Sequence, residues 1–381
     1  MKIAFEGQLL LSEQKTGIAW CAHNLVLELA KYPENECVIQ YFAPGVTKKQ
    51  MKKLQEYRDA GCKIETCAWF HNVIYKLIWS LFPVPYRLFF RYRPDMTQFF
   101  NYAVPPGACG KRVTFIYDLA WLDCPETVNP KTSMWLRLCM RQSCRHADRI
   151  ATSSAFSKKR IHKRLHIPYE RIDVIPDAVD HKQYHTDYSE TRICSVLKKY
   201  RVKRNYILYL GTIEPRKNIE NLIVAYEKLC GQMKEAPQLV LAGGRGWLCD
   251  GIYARIQDAG KRVNIRCTGY VDQSDVPVLM CGARIFVFPS LYEGFGMPPL
   301  EAMACGTPTV VSCAASLPEV VGDAGIKVNP KDTDSICRGM KKLLTDQALW
   351  NRLREAGLRR ARKYTWERSA RLLMNTYRKL Y

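Results

Sequence analysis

A chain of 381 residues is long enough for two domains of ordinary size, each with its own core. Its 47% hydrophobic and 25% charged residues exclude a disordered or low-complexity protein, and no apolar run reaches the ~20 residues that a membrane-spanning helix needs. The formal net charge of +22 calls for an anionic partner: nucleic acid, the anionic face of a membrane, or a phosphorylated substrate. No zinc-finger, RRM or helix-turn-helix pattern accompanies that charge, so no nucleic-acid partner is expected. The sixteen cysteines are scattered, with no Cys-x-x-Cys pair, and many fall in apolar segments. They read as reduced, buried thiols of a cytoplasmic protein rather than a metal cluster. The chain opens directly on a strand-like MKIAFEG, with no secretory signal in view.

In chain order, KIAFEG is followed by a loop ending at Thr16-Gly17 and by the helical IAWCAHNLVLELAKY. This is the first βα unit of a doubly wound sheet, whose ligands lie at the carboxyl ends of the strands. Gly17 opens the helix, either as a plain turn glycine or as a close approach to a phosphate. From His71 to Arg93, aromatics and aliphatics are interleaved with Lys76, Arg87, Arg91 and Arg93, and Pro83 and Pro85 interrupt the run. It reads either as a core helix with solvated basic residues or as a segment lying in a membrane interface. RVTFIYD is a strand with a polar end at Asp118, a loop-capping or a ligand-facing carboxylate. Asp148–Asp180 gives strand, helix and strand, the helix crowded with Lys158, Lys159, Arg160, Lys163 and Arg164. The charged, irregular His181–Arg204 is expected to be a linker between domains at residues 1–185 and 200–365.

The pattern then restarts. The strand YILYL ends at Gly211-Thr212 and a helix begins near Asn218, so Arg216 and Lys217 stand at a strand's carboxyl end beside a helix N-terminus. Two fixed cations there suit a diphosphate; an ordinary surface pair is the other reading. QLVLAGGRGW brings Gly243 and Gly244 to a strand end, and VNIRCTGYV ends at Tyr270-Val271. After the apolar RIFVFP comes SLYEGFGMPPLEAMACGTPT. Gly294 and Gly296 free the backbone at the turn, Pro298 and Pro299 suit a helix start, and Gly306 ends that helix. A strand, a glycine turn and a helix N-terminus favour an anion or polar ligand. Glu293 on the turn and Glu301 in the first helical turn are eight residues apart: two acids of one crevice, or a loop acid and a helix-terminal one. Asp332-Thr333-Asp334 reads as a helix cap and not a metal site, Glu319 as a cap of the next helix or a group that orients a ligand-binding loop, and YTWERSARLLMNTYRKLY as an amphipathic last helix.

EGFGMPPLEAMACGTPTVVS, followed by SLPEVVGDAG, resembles the Glu-x7-Glu signature of retaining nucleotide-sugar glycosyltransferases, most closely mannosyl- and glucosyl-transferring group 1 enzymes of bacterial polysaccharide assembly. The resemblance implies an α/β fold of two Rossmann-like domains facing across a cleft (GT-B). Its N-terminal domain takes the acceptor, and its last helix, 366–381, crosses back to that domain. It implies a nucleotide-sugar donor, with GDP-mannose favoured and UDP-glucose, another UDP-hexose or dTDP-rhamnose as alternatives. The acceptor would be a saccharide, lipid-linked, met at the inner face of the membrane. Arg216 and Lys217 would neutralise the diphosphate with no metal or other cofactor, Glu293 would bind the transferred hexose, and Glu301 would bind the ribose. The backbone of Gly294, Phe295, Gly296 and Met297 would hold sugar and phosphate. Gly17, Gly211, Thr212, Gly243, Gly244, Tyr270 and Val271 would complete the donor site, and Asp118 would lie on the acceptor side. The chain departs from the pattern at Tyr117, where a histidine is usual, at Pro176-Asp177-Ala178, where an asparagine-glycine turn is usual, and at Met280, where many relatives carry tyrosine. A same-fold nucleotide-sugar epimerase and a non-catalytic basic membrane-surface protein are the rival readings.

Overall fold

The computed structural model describes residues 1–12 and 17–381. The chain divides into two compact units: Met1–Leu119, Lys131–Ala178 and Trp366–Tyr381 form the first, Ala120–Pro130 and Val179–Thr365 the second.

The first unit is built on a seven-stranded sheet. In chain order its strands are β1 (Lys2–Glu6), β2 (Glu36–Phe42), β3 (Lys63–Cys67), β4 (Met96–Phe99), β5 (Lys111–Phe115), β6 (Arg149–Thr152) and β7 (Ile172–Val174). They are arranged β3-β2-β1-β4-β5-β6-β7, with every pairing parallel. The second unit carries β8 (Tyr206–Leu210), β9 (Gln238–Ala242), β10 (Ile265–Gly269), β11 (Ile285–Phe288), β12 (Thr309–Ser312) and β13 (Gly325–Val328). Their order is β10-β9-β8-β11-β12-β13, again all parallel. Helices cover both faces of such sheets, which is why YILYL, QLVLA and IFVF are apolar runs and not alternating ones. In each sheet the strand order reverses once, between β1 and β4 and between β8 and β11. At such a point the loops from neighbouring strands diverge and leave a crevice beyond the strand ends.

The last helix, Trp366–Arg378, packs in the first unit against the helix Gly17–Ala30. Leu373, Met374 and Tyr377 are buried there, and the Tyr377 hydroxyl donates to Gln98 Oε1 at 2.9 Å.

The expected linker is different in the structure. Residues 190–200 form a helix, Glu190–Tyr200, capped by the Ser189 hydroxyl on Arg192 N and packed into the second unit through Val196, Leu197 and Tyr200. Its Arg192 and Lys199 pair with the buried Asp275, so the charges that made it look like a linker anchor it instead. Residues 120–130 also depart from the expected boundary, since Tyr292 donates to Asp123 and Trp247 Nε1 to Thr127 O within the second unit. The glycine at the first helix, Gly17, is described, whereas the loop read as ending at Thr16 lies outside the described residues.

Candidate functional site

The second unit gathers its charges where β8 and β11 part. After β8 the chain passes Gly211 and makes a single 3-10 turn at Pro215–Lys217. It enters the helix Ile219–Gln232 through Asn218, which sits at φ 61° in the left-handed region. The amide of Asn218 donates to Pro289 O at 3.0 Å and Pro330 O at 2.7 Å, and Leu291 N donates to Arg216 O at 2.9 Å. These bonds tie the loop after β8 to the loop after β11.

Four charges meet across that tie. Lys217 Nζ lies 2.6 Å from Glu293 Oε1, and Arg216 Nη1 lies 3.1 Å from Glu293 Oε2 and 2.9 Å from Tyr292 O. The other edge of the Arg216 guanidinium holds Glu214 Oε1, at 2.8 Å from Nη2 and 3.1 Å from Nε. Glu214 is 1% exposed, and Lys217 and Glu293 are buried beside it. Two cations therefore face two carboxylates in a region of low polarity, where each needs its partners. Lys217 also lies 5.1 Å from the centre of the Phe288 ring. Burial alone would raise the Glu293 carboxyl, but the Lys217 and Arg216 charges outweigh it and hold it below the usual carboxylate range. For Glu214 burial wins and its carboxyl is raised.

The turn glycines have different tasks. Gly243 sits at φ 145°, and a Cβ there would stand 1.9 Å from Gly211 O, so the ends of β8 and β9 demand glycine for their own packing. Gly296 sits at φ 116° with Leu317 Cδ2 2.5 Å from its would-be Cβ. A ligand is not needed to explain either. A Cβ at Gly244 would meet nothing within 4 Å, as is also true of Gly17 in the first unit. The helix Met297–Ala304 has no side-chain cap. Of its first four residues Pro298 and Pro299 carry no N–H, so few donors there are available to an anion beyond Met297 and Leu300. An anion at this helix N-terminus depends correspondingly more on Arg216 and Lys217.

Glu301, in the same helix, is half-buried and close to Tyr184, whose hydroxyl also accepts from Gln273 Nε2 at 3.1 Å. Burial pushes its carboxyl up to about 7, with the Tyr184 hydrogen bond opposing. Thr212 and Tyr270 are exposed at the ends of β8 and β10, whereas Val271 and Phe295 are turned into the core. Gly17 and Asp118 belong to the first unit, Asp118 just beyond the end of β5. Glu319 does not cap its helix: it stands exposed in the first turn of Leu317–Val321. Ser316 occupies the cap position, and its single hydroxyl proton is shared between Glu293 O at 2.8 Å and Phe295 O at 2.7 Å. Asp332 accepts from Asp334 N at the start of the helix Thr333–Thr345, while Lys228 bonds Thr333 and Asp334. Sequence reasoning passed over Glu214, Asn218 and Ser316. The run EPRKN, an acid and an amide flanking two cations, held a signal for the first two.

Glu293→Ala leaves two buried cations short of a partner and is expected to cost about 3–5 kcal/mol at neutral pH by urea denaturation. The carboxyl's depressed pKa makes its stabilisation complete above the unfolded value and lost as pH falls through the folded one, so the gap between variant and wild type closes on acidification below about pH 4. Glu301→Gln has the opposite sign: the wild type, with its raised carboxyl, loses stability as pH climbs from the ordinary carboxylate range to about 7 and the loss is complete above it, so this variant is expected to be more stable than wild type at about pH 8.

Residues 197–360 match the family described as glycosyl transferases group 1, and residues 16–183 match glycosyltransferase family 4. The chain is similar to the O-antigen chain mannosyltransferase B of Escherichia coli, with 37% identity over 281 residues that cover 72% of each protein. It is 37% identical over 236 residues to the serotype-specific mannosyltransferase WbdA of Escherichia coli, a match covering 61% of this chain and 29% of that longer one. Among solved structures, Anabaena HepE in complex with UDP and glucose has the same fold over the full length of both chains, at a TM-score of 0.74 and 17% identity. Two doubly wound units of this order, a basic pair set against Glu293 where the second sheet's order reverses, and a relative of this identity and coverage together place the chain among the group 1 glycosyltransferases, with the GT-B fold.

Proposed function

We propose that the protein transfers a hexose, mannose from GDP-mannose in the first instance, to a saccharide acceptor of cell-surface polysaccharide assembly, with retention of anomeric configuration. The observation that carries the reading is the Arg216–Lys217–Glu293 cluster at the strand ends of the second unit. Two cations held in place beforehand cost no reorganisation when charge develops on a departing diphosphate. They take the part that a metal ion has in other enzymes. Glu293 keeps both cations aimed and its remaining acceptor capacity serves a sugar hydroxyl, while Glu301 accepts from the ribose hydroxyls. The bond from the anomeric carbon to the diphosphate breaks as the acceptor oxygen bonds that carbon from the same face, and the acceptor's proton passes to the leaving phosphate. The mannosyltransferase names of the relatives support the choice of sugar and pathway class; UDP-hexoses are the next donors in line, since HepE was solved with UDP.

A lipid-linked acceptor at the inner membrane face completes the reading. Among the described residues no helix is long and apolar enough to cross a membrane. Yet Val73, Ile74, Leu77, Phe82 and Leu88, within the stretch interpreted as interfacial or core, and Trp69 just before it, are exposed. Single exposed apolar residues are ordinary, but six within twenty residues beside Arg87 and Arg91 suit an anionic bilayer surface.

In acceptor-dependent turnover of GDP-mannose, Arg216→Ala with Lys217→Ala is expected to lower kcat by at least ~100-fold; near-normal turnover would refute the diphosphate role. In co-sedimentation, vesicles of anionic phospholipid should retain the protein and neutral ones should not, with retention falling several-fold in Leu77→Ser/Phe82→Ser. Equal retention by both vesicles would refute the membrane reading.

A further inference from the structure

Arg216 is gripped from two sides. Its Nε and Nη2 both donate to one oxygen of Glu214, at 3.1 and 2.8 Å, while Nη1 donates to Glu293 Oε2 at 3.1 Å and to Tyr292 O at 2.9 Å. The two carboxylates are held differently. Glu214 is the extended residue that opens the turn Pro215–Lys217, at φ −150° and ψ 158°, and its carbonyl accepts from Lys217 N at 3.1 Å. Ile213, just before it, is bonded on both sides to the loop after β9: Ile213 N donates to Gly244 O at 3.0 Å, and Gly246 N donates to Ile213 O at 3.1 Å. That loop closes over Glu214, since a Cβ on Gly246 would stand 2.7 Å from Ile213 O and 3.3 Å from Glu214 Cβ. An anion that takes the place of Glu293 on Nη1 and Lys217 therefore leaves the buried Glu214 side of the fork intact.

The same arrangement sets the local charge. Cations that stabilise a departing diphosphate also hold it afterwards. Once its proton is lost, a released nucleoside diphosphate carries one negative charge more than the sugar diester it came from. A bare Arg–Lys pair would thus bind product better than donor and slow turnover. Here the pair is not bare: Glu214 and Glu293 match it charge for charge in a buried site, where little screens them. A ligand can displace Glu293, but Glu214 stays on the far edge of Arg216 throughout.

We propose that Glu214 is a positioning residue that keeps Arg216 aimed while a diphosphate occupies the Glu293 side, and whose fixed charge limits how tightly the released nucleoside diphosphate is retained. It acts through Arg216, and the assignment rests on the glycosyl-transfer reading above. One unit charge across a partly screened site changes an affinity by roughly tenfold, which sets the size of the expected effect.

Two substitutions in the full chain separate the parts. Glu214→Gln keeps an acceptor oxygen for Nε and Nη2 and removes the charge, whereas Glu214→Ala removes both. By calorimetric titration with GDP, UDP or dTDP, whichever the wild type binds, Glu214→Gln should bind it about tenfold tighter. Its steady-state kcat should fall through slower release, with the single-turnover rate on the nucleotide sugar within about twofold of wild type. In Glu214→Ala the single-turnover rate should itself drop by about tenfold or more. Unchanged or weaker diphosphate binding in Glu214→Gln, or an undiminished single-turnover rate in Glu214→Ala, would overturn the proposal. The wild type gives a check that no folding defect can spoil: it should bind the diphosphate at most about tenfold tighter than the matching monophosphate, and a wider gap would overturn the charge balance. The glycosyl-transfer reading fails differently, with none of the three nucleotides bound by the wild type, and both ideas then fall together.

Discussion

The second unit depends on one buried ionic arrangement, Glu214–Arg216–Glu293–Lys217. Desolvating four charges is costly, and their mutual attraction offsets that cost only in a fixed geometry. The geometry is fixed by backbone: Asn218 bridges Pro289 and Pro330, Leu291 N reaches Arg216 O, and Ser316 holds the carbonyls of Glu293 and Phe295. The loops after β8, β11, β12 and β13 are thereby tied together around the charge cluster. An anionic ligand entering there competes with Glu293 for the cations it finds, so affinity is set by a difference between two ion pairs and not by the charge of Arg216 and Lys217 alone.

The two acids eight residues apart are driven in opposite directions. Glu293 is kept ionised by adjacent cations, whereas Glu301 is pushed to about 7 by burial with only Tyr184 to help it. Glu293 is a structural and electrostatic member of the cluster before any ligand arrives. Glu301 is stored at a cost to stability, a cost that the proposed ribose contact would relieve.

Much of this was legible in the sequence because strands of a parallel sheet leave continuous apolar runs, and the glycine and proline turns that follow them mark the ligand-facing ends. The helix at residues 297–304 and the placement of Arg216 and Lys217 came from that alternation; their pairing with Glu293 did not, because it joins residues about eighty positions apart through the reversal of strand order. Glu214 went unnoticed, since nothing local distinguishes a 1%-exposed carboxylate from a solvated one. The helix Glu190–Tyr200 was mistaken for a linker on its charge, although Val196, Leu197 and Tyr200 have helical spacing. Gly243 and Gly296 read as ligand approaches, and their close packing against Gly211 and Leu317, a second reason for glycine at both positions, joins residues too far apart in sequence to be seen there.

The central claim is that the second unit's charge cluster and Glu301 form a nucleotide-sugar site. Thermal unfolding of the full chain with GDP, UDP, dTDP and their sugars tests it most directly. One nucleotide should stabilise the protein by about 2.7 kcal/mol at a hundred times its dissociation constant, and Glu301→Ala should abolish the effect in a protein that still folds. Silence across the set, or stabilisation that survives both Glu301→Ala and Arg216→Ala, would contradict the account.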